Sequence, residues 1–268
     1  MPPRNLDRLT TVYGPTTWDV YARLDRSLHP PGPESLHGRA RRYLRPGDVV
    51  LDAGCRDAKH LIRLVRENEV TGVGVDPVEV HIERARVAVS QAHFGERIEL
   101  HLGVMHDMPY PDSHFSFVWC RDVLEQVDDL QGGLTELRRV MKPEARLLVY
   151  TTFATDRLEG RDAQMMFRHL GNVRQNLDPA YVEAAYEASG LAIERREVIG
   201  TAWWEHLEER TQPVSNALLR LARLRRQTDD IIAAHGEDVY GHIEANLHWE
   251  VFILLGKLEP VVHVLRTR

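Results

Sequence analysis

The chain has 268 residues, 43% hydrophobic and 28% charged, with 34 Lys and Arg against 40 Asp and Glu and a formal net charge of −6. This balance excludes a disordered or fibrous chain and gives no positive field that would recruit nucleic acid or anionic lipid over the whole surface. Two cysteines cannot staple a domain of this size, the first residues carry no apolar leader, and no 18-residue apolar run occurs, so a cytoplasmic protein that does not enter the membrane is expected.

Residues 1–44 read as a helical N-terminal flap. In it His29-Pro30-Pro31-Gly32-Pro33 separates two stretches of helical apolar spacing: Trp18, Tyr21 and Ala22, then Leu36, Ala40, Tyr43 and Leu44. After Pro46-Gly47, short apolar runs alternate with helix-length amphipathic stretches, the pattern of βαβ units and a mostly parallel sheet. Strands are expected near 48–52, 71–75, 97–102, 115–120 and 145–151, with helices at 58–68, 77–91, 122–125 and 131–141. There follow a helical stretch at 163–170, a helix from Asp178-Pro179 to Ser189 closed by Gly190, and a strand at 191–198. Residues 199–258 read as helical and Val261 to Leu265 as a last strand, bounded by Pro260. For that strand to join the same sheet, 199–258 must be an insertion packed above the strand ends. The expected organisation is a flap (1–44), a core (45–198 and 259–268) and a helical cap (199–258).

Asp48 to Cys55 is a buried strand running into a tight turn, with Asp52 at its carboxyl end and Gly54 two residues on. In an open parallel sheet that edge carries the ligand crevice. A second strand, Thr71 to Val75, ends in Asp76, where a carboxylate can accept ribose hydroxyls. Together the two acids point to a nucleoside ligand.

With these residues the chain resembles the class I S-adenosylmethionine-dependent methyltransferases over residues 44–152. Leu51-Asp52-Ala53-Gly54-Cys55 resembles their first motif, Val75-Asp76-Pro77 the ribose-binding acid, and Gly103 with Met108-Pro109-Tyr110-Pro111-Asp112 the adenine-side loop. Val123-Leu124-Glu125 and Met141-Lys142-Pro143 match the segments after the fourth strand and before the fifth. The resemblance implies an α/β fold with a seven-stranded, mostly parallel Rossmann-like sheet of order 3-2-1-4-5-7-6, its last strand antiparallel. It also implies S-adenosylmethionine at the carboxyl ends of the strands and in-line methyl transfer to O, N or C of a small or medium organic acceptor. On that reading Asp52, Gly54, Cys55, Arg56, Asp76 and Pro77 hold the cofactor, and Met105, His106, Cys120 and Arg121 complete its walls.

The first motif of the family usually continues G-x-G-x-G, whereas here Arg56 and Ala58 stand at the later glycine positions. Those glycines let a backbone approach a pyrophosphate, so their loss counts against a nicotinamide or flavin dinucleotide more than against a cofactor without phosphate. Arg56 either grips the methionine carboxylate with its planar fork or obstructs the pocket. Cys55-Arg56-Asp57 recurs as Cys120-Arg121-Asp122 at the end of the fourth strand, so the thiols either frame one crevice or are small core residues.

Neither cysteine has the close partner a metal needs, so no metal site is expected. No His-Glu-x-x-His or Gly-x-Ser-x-Gly pattern anchors a hydrolase. Trp203 and Trp204 either wall a substrate pocket, with His206 beside it as proton acceptor, or anchor the cap to the sheet. In the flap, Tyr13 is a second candidate base, and Trp18 and Tyr21 either close over the sulfonium through cation–π contact or pack in the core. Arg220, Arg223, Arg225 and Arg226 interleave with leucines as the solvated face of an amphipathic helix. The expected partner is a small-molecule methyl acceptor, with nucleic acid and membrane excluded and a homodimer left open. Two other classes stand beside this one: a protein of the same fold that binds ligand without methylating, and a nucleotide-linked oxidoreductase.

Overall fold

Strand-length apolar runs and amphipathic helices fold here into one sheet covered on both faces. The computed structural model describes residues 4–268, so the first three residues of the expected flap lie outside the described part. Helices α1 (Arg4–Val12), α2 (Pro15–Leu24) and α3 (Ser35–Ala40) precede strand β1 (Val49–Ala53). Then come α4 (Lys59–Asn68), β2 (Thr71–Asp76), α5 (Glu79–Gln91), β3 (Ile98–Leu102), β4 (Phe115–Arg121), α6 (Leu130–Val140) and β5 (Met141–Ala154). The rest comprises α7 (Gly160–His169), α8 (Pro179–Ala188), β6 (Leu191–Val198), α9 (Ala202–Thr211), α10 (Pro213–Arg226), α11 (Thr228–His235), α12 (Glu237–Leu254) and β7 (Leu258–Thr267).

The sheet order is β3-β2-β1-β4-β5-β7-β6, as the resemblance implied, and β7 runs antiparallel to both of its neighbours. Because the central strands are buried on both faces, they read as continuous apolar runs. Leu51, Ala53, Val118 and Val149 pack with α6 and α8 on one face, and Val50, Phe117, Trp119 and Leu148 with α3, α4 and α5 on the other. Local chemistry sets the helix starts: the Asp129 carboxylate accepts the Gly132 N–H of α6, and Asp178 accepts the Ala180 N–H ahead of Pro179 in α8.

Three expectations need correction. The helix at 122–125 is a single 3-10 turn, Leu124–Gln126, because Asp122 adopts φ 54 and breaks the helical path. The strand expected at 145–151 extends over Met141–Ala154, and Pro143 sits where the β4–β5 register shifts between Phe115 and Phe117, a bulge that tolerates its missing N–H. Pro260 lies inside β7, opposite Thr152, rather than bounding it. Four helices, α9 to α12, occupy the chain between β6 and β7.

Candidate active site

The β1–α4 loop keeps a glycine path without the glycines. Gly54 has φ +81, and a Cβ there would lie 2.3 Å from Val123 Cγ2. Arg56 (φ 50) and Ala58 (φ 57) take the left-handed conformation at the two positions where the family has glycine. For an L-residue this costs about 1–2 kcal/mol each, so the surroundings must hold the loop. They do so through Val75, whose carbonyl accepts the Gly54 and Cys55 N–H groups, and through Asp76 Oδ2, which accepts the Arg56 N–H at 2.9 Å. The Arg56 side chain is exposed.

Asp76, 5% exposed, also accepts the Val78 N–H at Oδ1 (3.0 Å) and pairs with His81 Nδ1 at the same oxygen (3.0 Å). A carboxylate offers about four lone-pair sites, so three are taken and one remains on Oδ2. One strand over, Asp52 is 3% exposed and has no ion pair among the described residues. Burial first, then the Asp76 and Asp57 carboxylates, push it up to about 8 against the pull of Arg121. The tips of β1 and β2 thus form an acid-rich crevice short of a cation.

Around it, Pro77 is exposed at the end of β2, Met105 is buried against Gly133 of α6, and His106 is exposed. The loop Met108–Asp112 is pinned by Arg139, which donates to the Tyr110 carbonyl at 2.8 Å and to Asp112 Oδ1 at 2.7 Å. Both thiols are core residues, the second of the two alternatives. Cys120 is fully buried, Cys55 is 5% exposed, and burial pushes each well above the ordinary thiol range.

Arg121 joins a network that no local pattern announced. Its Nη1 lies 2.8 Å from His60 Nε2, His60 Nδ1 lies 3.0 Å from His37 Nε2, and its Nε donates to Asp122 at 3.1 Å. A guanidinium only donates, so His60 accepts at Nε2 and donates from Nδ1 to His37. Both rings are therefore neutral, and burial lowers them to about 3 and about 4 respectively. Arg121 also lies 5.3 Å over the Tyr150 ring, which stacks on Trp203 at 5.0 Å and 2°. Beyond β4, Glu125 is 3% exposed; its Oε1 accepts the Thr151 hydroxyl and the Thr152 N–H, and burial followed by Asp122 raises it to about 7.

The remaining sequence candidates lie apart from this crevice. Trp203 is fully buried on Tyr150 and takes the anchoring role. Trp204 packs half-buried into the same hydrophobic layer. His206 Nδ1 pairs with the Pro30 carbonyl at 2.8 Å, stitching the N-terminal segment to α9. Tyr13 and Trp18 are 70% and 65% exposed, and α2 has no buried residue.

The family model for a methyltransferase domain matches residues 51–149. Among curated proteins, the 27-O-demethylrifamycin SV methyltransferase of Amycolatopsis mediterranei is 32% identical over 104 residues, 39% of this chain and 38% of that protein. The chain spans 32–44% of the length of the first curated relatives it matches. Two solved structures share the fold. The cyclase SpnF has a TM-score of 0.69 at 17% identity, covering 87% of this chain and 80% of its own. A geranyl diphosphate methyltransferase in complex with SAM has a TM-score of 0.65 at 14% identity, covering 87% and 85%. Residues 51–149 thus match a methyltransferase domain, set in a sheet of the order that the resemblance to the class I S-adenosylmethionine-dependent methyltransferases implied.

Proposed function

We propose that the chain binds S-adenosylmethionine in the crevice above β1, β2 and β4 and transfers its methyl group to a small organic acceptor. The observation that carries this reading is the pair of buried acids, Asp52 and Asp76, at adjacent strand tips, joined by a loop that holds the family's glycine conformations at Arg56 and Ala58. The residues fit the cofactor in three ways. Asp76 keeps a lone pair on Oδ2 for one ribose hydroxyl, and a second site opens on Oδ1 when His81, which is 30% exposed, yields. Asp52 lacks a counter-cation, which a positively charged ligand supplies. Gly54 keeps the loop on its tight path, since any Cβ there would strike Val123.

When bound, S-adenosylmethionine supplies a methyl carbon already activated by the sulfonium, so the protein need not build an electrophile. Its own residues have to align the reactants and hold charge, and alignment alone can supply about 7–11 kcal/mol of the barrier. Asp76 orients the ribose, Asp52 faces the positive charge, and Arg56, with no ion pair among the described residues, takes the methionine carboxylate. Met105 and His106 border the adenine side, while Arg121 closes the wall at β4, with Cys120 packed in the core behind it. The helices α9 to α12 serve as the cap on the acceptor side.

Equilibrium binding of S-adenosylmethionine, together with methyl counting from labelled cofactor against a panel of small organic acceptors, tests the proposal. Micromolar binding that weakens at least tenfold in Asp76→Ala, with label appearing in an acceptor, is the expected result. Binding without transfer to any acceptor would favour the non-methylating reading, which the likeness to a cyclase keeps open. No binding at millimolar cofactor would end both.

A further inference from the structure

The end of β5 borders a hollow of about 280 Å³ whose apolar walls are interrupted by Thr155, Arg174 and Asp178. Ala154, Leu158, Ala163, Phe167 and Leu177 form the apolar lining, and its floor continues into the buried cluster of Met166, Phe252 and Ile253. The Thr155 hydroxyl donates to the Gly256 carbonyl at 2.7 Å, and Arg174 is exposed at the rim, its guanidinium 4.6 Å over the Phe167 ring and without an ion pair among the described residues. Asp178 also borders the hollow; its Oδ1 accepts the Ala180 N–H that it caps, at 2.9 Å, and its carboxylate keeps its negative charge.

The hollow is tied to the turn that follows β4. Val173 donates its N–H to the Glu125 carbonyl at 2.8 Å, and Asn176 donates to the Leu124 and Val127 carbonyls at 2.7 and 2.8 Å. The segment that carries Arg174 is therefore fastened to the turn after β4, and β5 is β4's direct neighbour, one strand spacing or about 5 Å away. A guanidinium stacked on an aromatic face leaves its edge N–H groups free for a planar or tetrahedral anion.

We propose that this hollow takes the apolar body of the methyl acceptor and that Arg174 binds an anionic group on it, a carboxylate or a phosphate. The inference rests on the methyltransferase reading and narrows its substrate class to apolar acids. At about 30 Å³ per water-sized group the hollow accommodates roughly nine heavy atoms, which makes octanoate and octyl phosphate suitable probes.

Calorimetric titration of the full chain with octanoate, octyl phosphate, octanol and acetate tests it, in the wild type and in Arg174→Gln, an exposed substitution outside the cofactor crevice. The expected result is that one or both octyl anions bind at least tenfold tighter than octanol, that acetate does not bind, and that Arg174→Gln abolishes the preference. The tighter of the two octyl anions identifies the group recognised. Equal binding of octanol, saturable binding of acetate, an undiminished preference in Arg174→Gln, or no saturation by either octyl anion would each overturn the proposal. Separate titration with S-adenosylmethionine distinguishes the two failures. Cofactor binding without octyl-anion binding sinks the hollow alone, and octyl-anion binding without cofactor binding sinks the methyltransferase reading and with it the assignment of an acceptor.

Discussion

Asp52 is the residue where structure and chemistry are most tightly coupled. Held near pKa 8 by burial and by the Asp76 and Asp57 carboxylates, it is largely protonated at pH 7 in the unliganded protein. A cationic ligand in the crevice favours the ionised form, so binding at pH 7 must release a proton. The affinity for S-adenosylmethionine should therefore rise as pH rises from 6 toward 8 and level off above. Calorimetry at pH 7 in two buffers of different ionisation enthalpy reads the released proton directly, and Asp52→Asn should abolish it. If the heat is the same in both buffers, Asp52 does not face the ligand's charge. Arg56 and Ala58 show how a departure from a motif can leave its backbone intact: the side chains change, the left-handed φ values stay, and Asp76 and Val75 hold the loop through backbone N–H groups.

At the scale of elements, α2 and α9 differ in how firmly they are tied down. α2 has ten residues, none buried, and helices of that length are marginal without packing. Beyond it the N-terminal segment is attached by the Ser27 hydroxyl on Glu209 (2.7 Å) and the Pro30 carbonyl on His206. α9, by contrast, buries Trp203 completely against Tyr150. Trp203→Ala should cost about 3–5 kcal/mol, whereas a chain starting at Asp25 should melt within about 2 °C of the intact one, corresponding to less than about 1 kcal/mol. Denaturant and thermal melts compare the two, and a truncation as costly as Trp203→Ala would show that the first helices are packed in solution. The same contrast explains what was legible in the sequence. The acids Asp52 and Asp76 could be read because strand ends and turn residues are local signals, whereas the sheet order followed from the family resemblance. The His37–His60–Arg121 network and the Tyr150–Trp203 stack join residues far apart in the chain, and no periodicity records such contacts. The 3-10 turn at Leu124–Gln126 was misread because helical spacing does not show the φ of Asp122.

Across the whole molecule the buried titratable groups oppose one another below pH 6.5, and only the raised acids act above it. His37 and His263 are lowered to about 4 and His60 to about 3, chiefly by burial, so between those values and 6.5 the unfolded chain binds protons that the folded one refuses. Stability contributed by these rings is present above pH 6.5 and is lost as pH falls through that window. Asp52 and Glu125 act in the other direction. Raised to about 8 and about 7, they hold protons that the unfolded chain has already given up, so their contribution is lost as pH rises through the same region and on to 8. Asp122 and Glu250 are raised by burial as well and act in the same direction as Asp52 and Glu125, and above pH 6.5, where the rings no longer titrate, the raised acids act unopposed. The unliganded protein should therefore lose stability as pH rises from ~6.5 to 8. A cation beside Asp52 lowers its pKa and removes much of the alkaline decline. Melting temperatures recorded from pH 6.5 to 9, with and without saturating S-adenosylmethionine, should fall in the free protein and fall less in the complex. A free protein whose melting temperature keeps rising through pH 8 would mean that the two buried carboxyls are ionised in the folded state, and the acid-rich crevice would then have to hold its charge without help from a ligand.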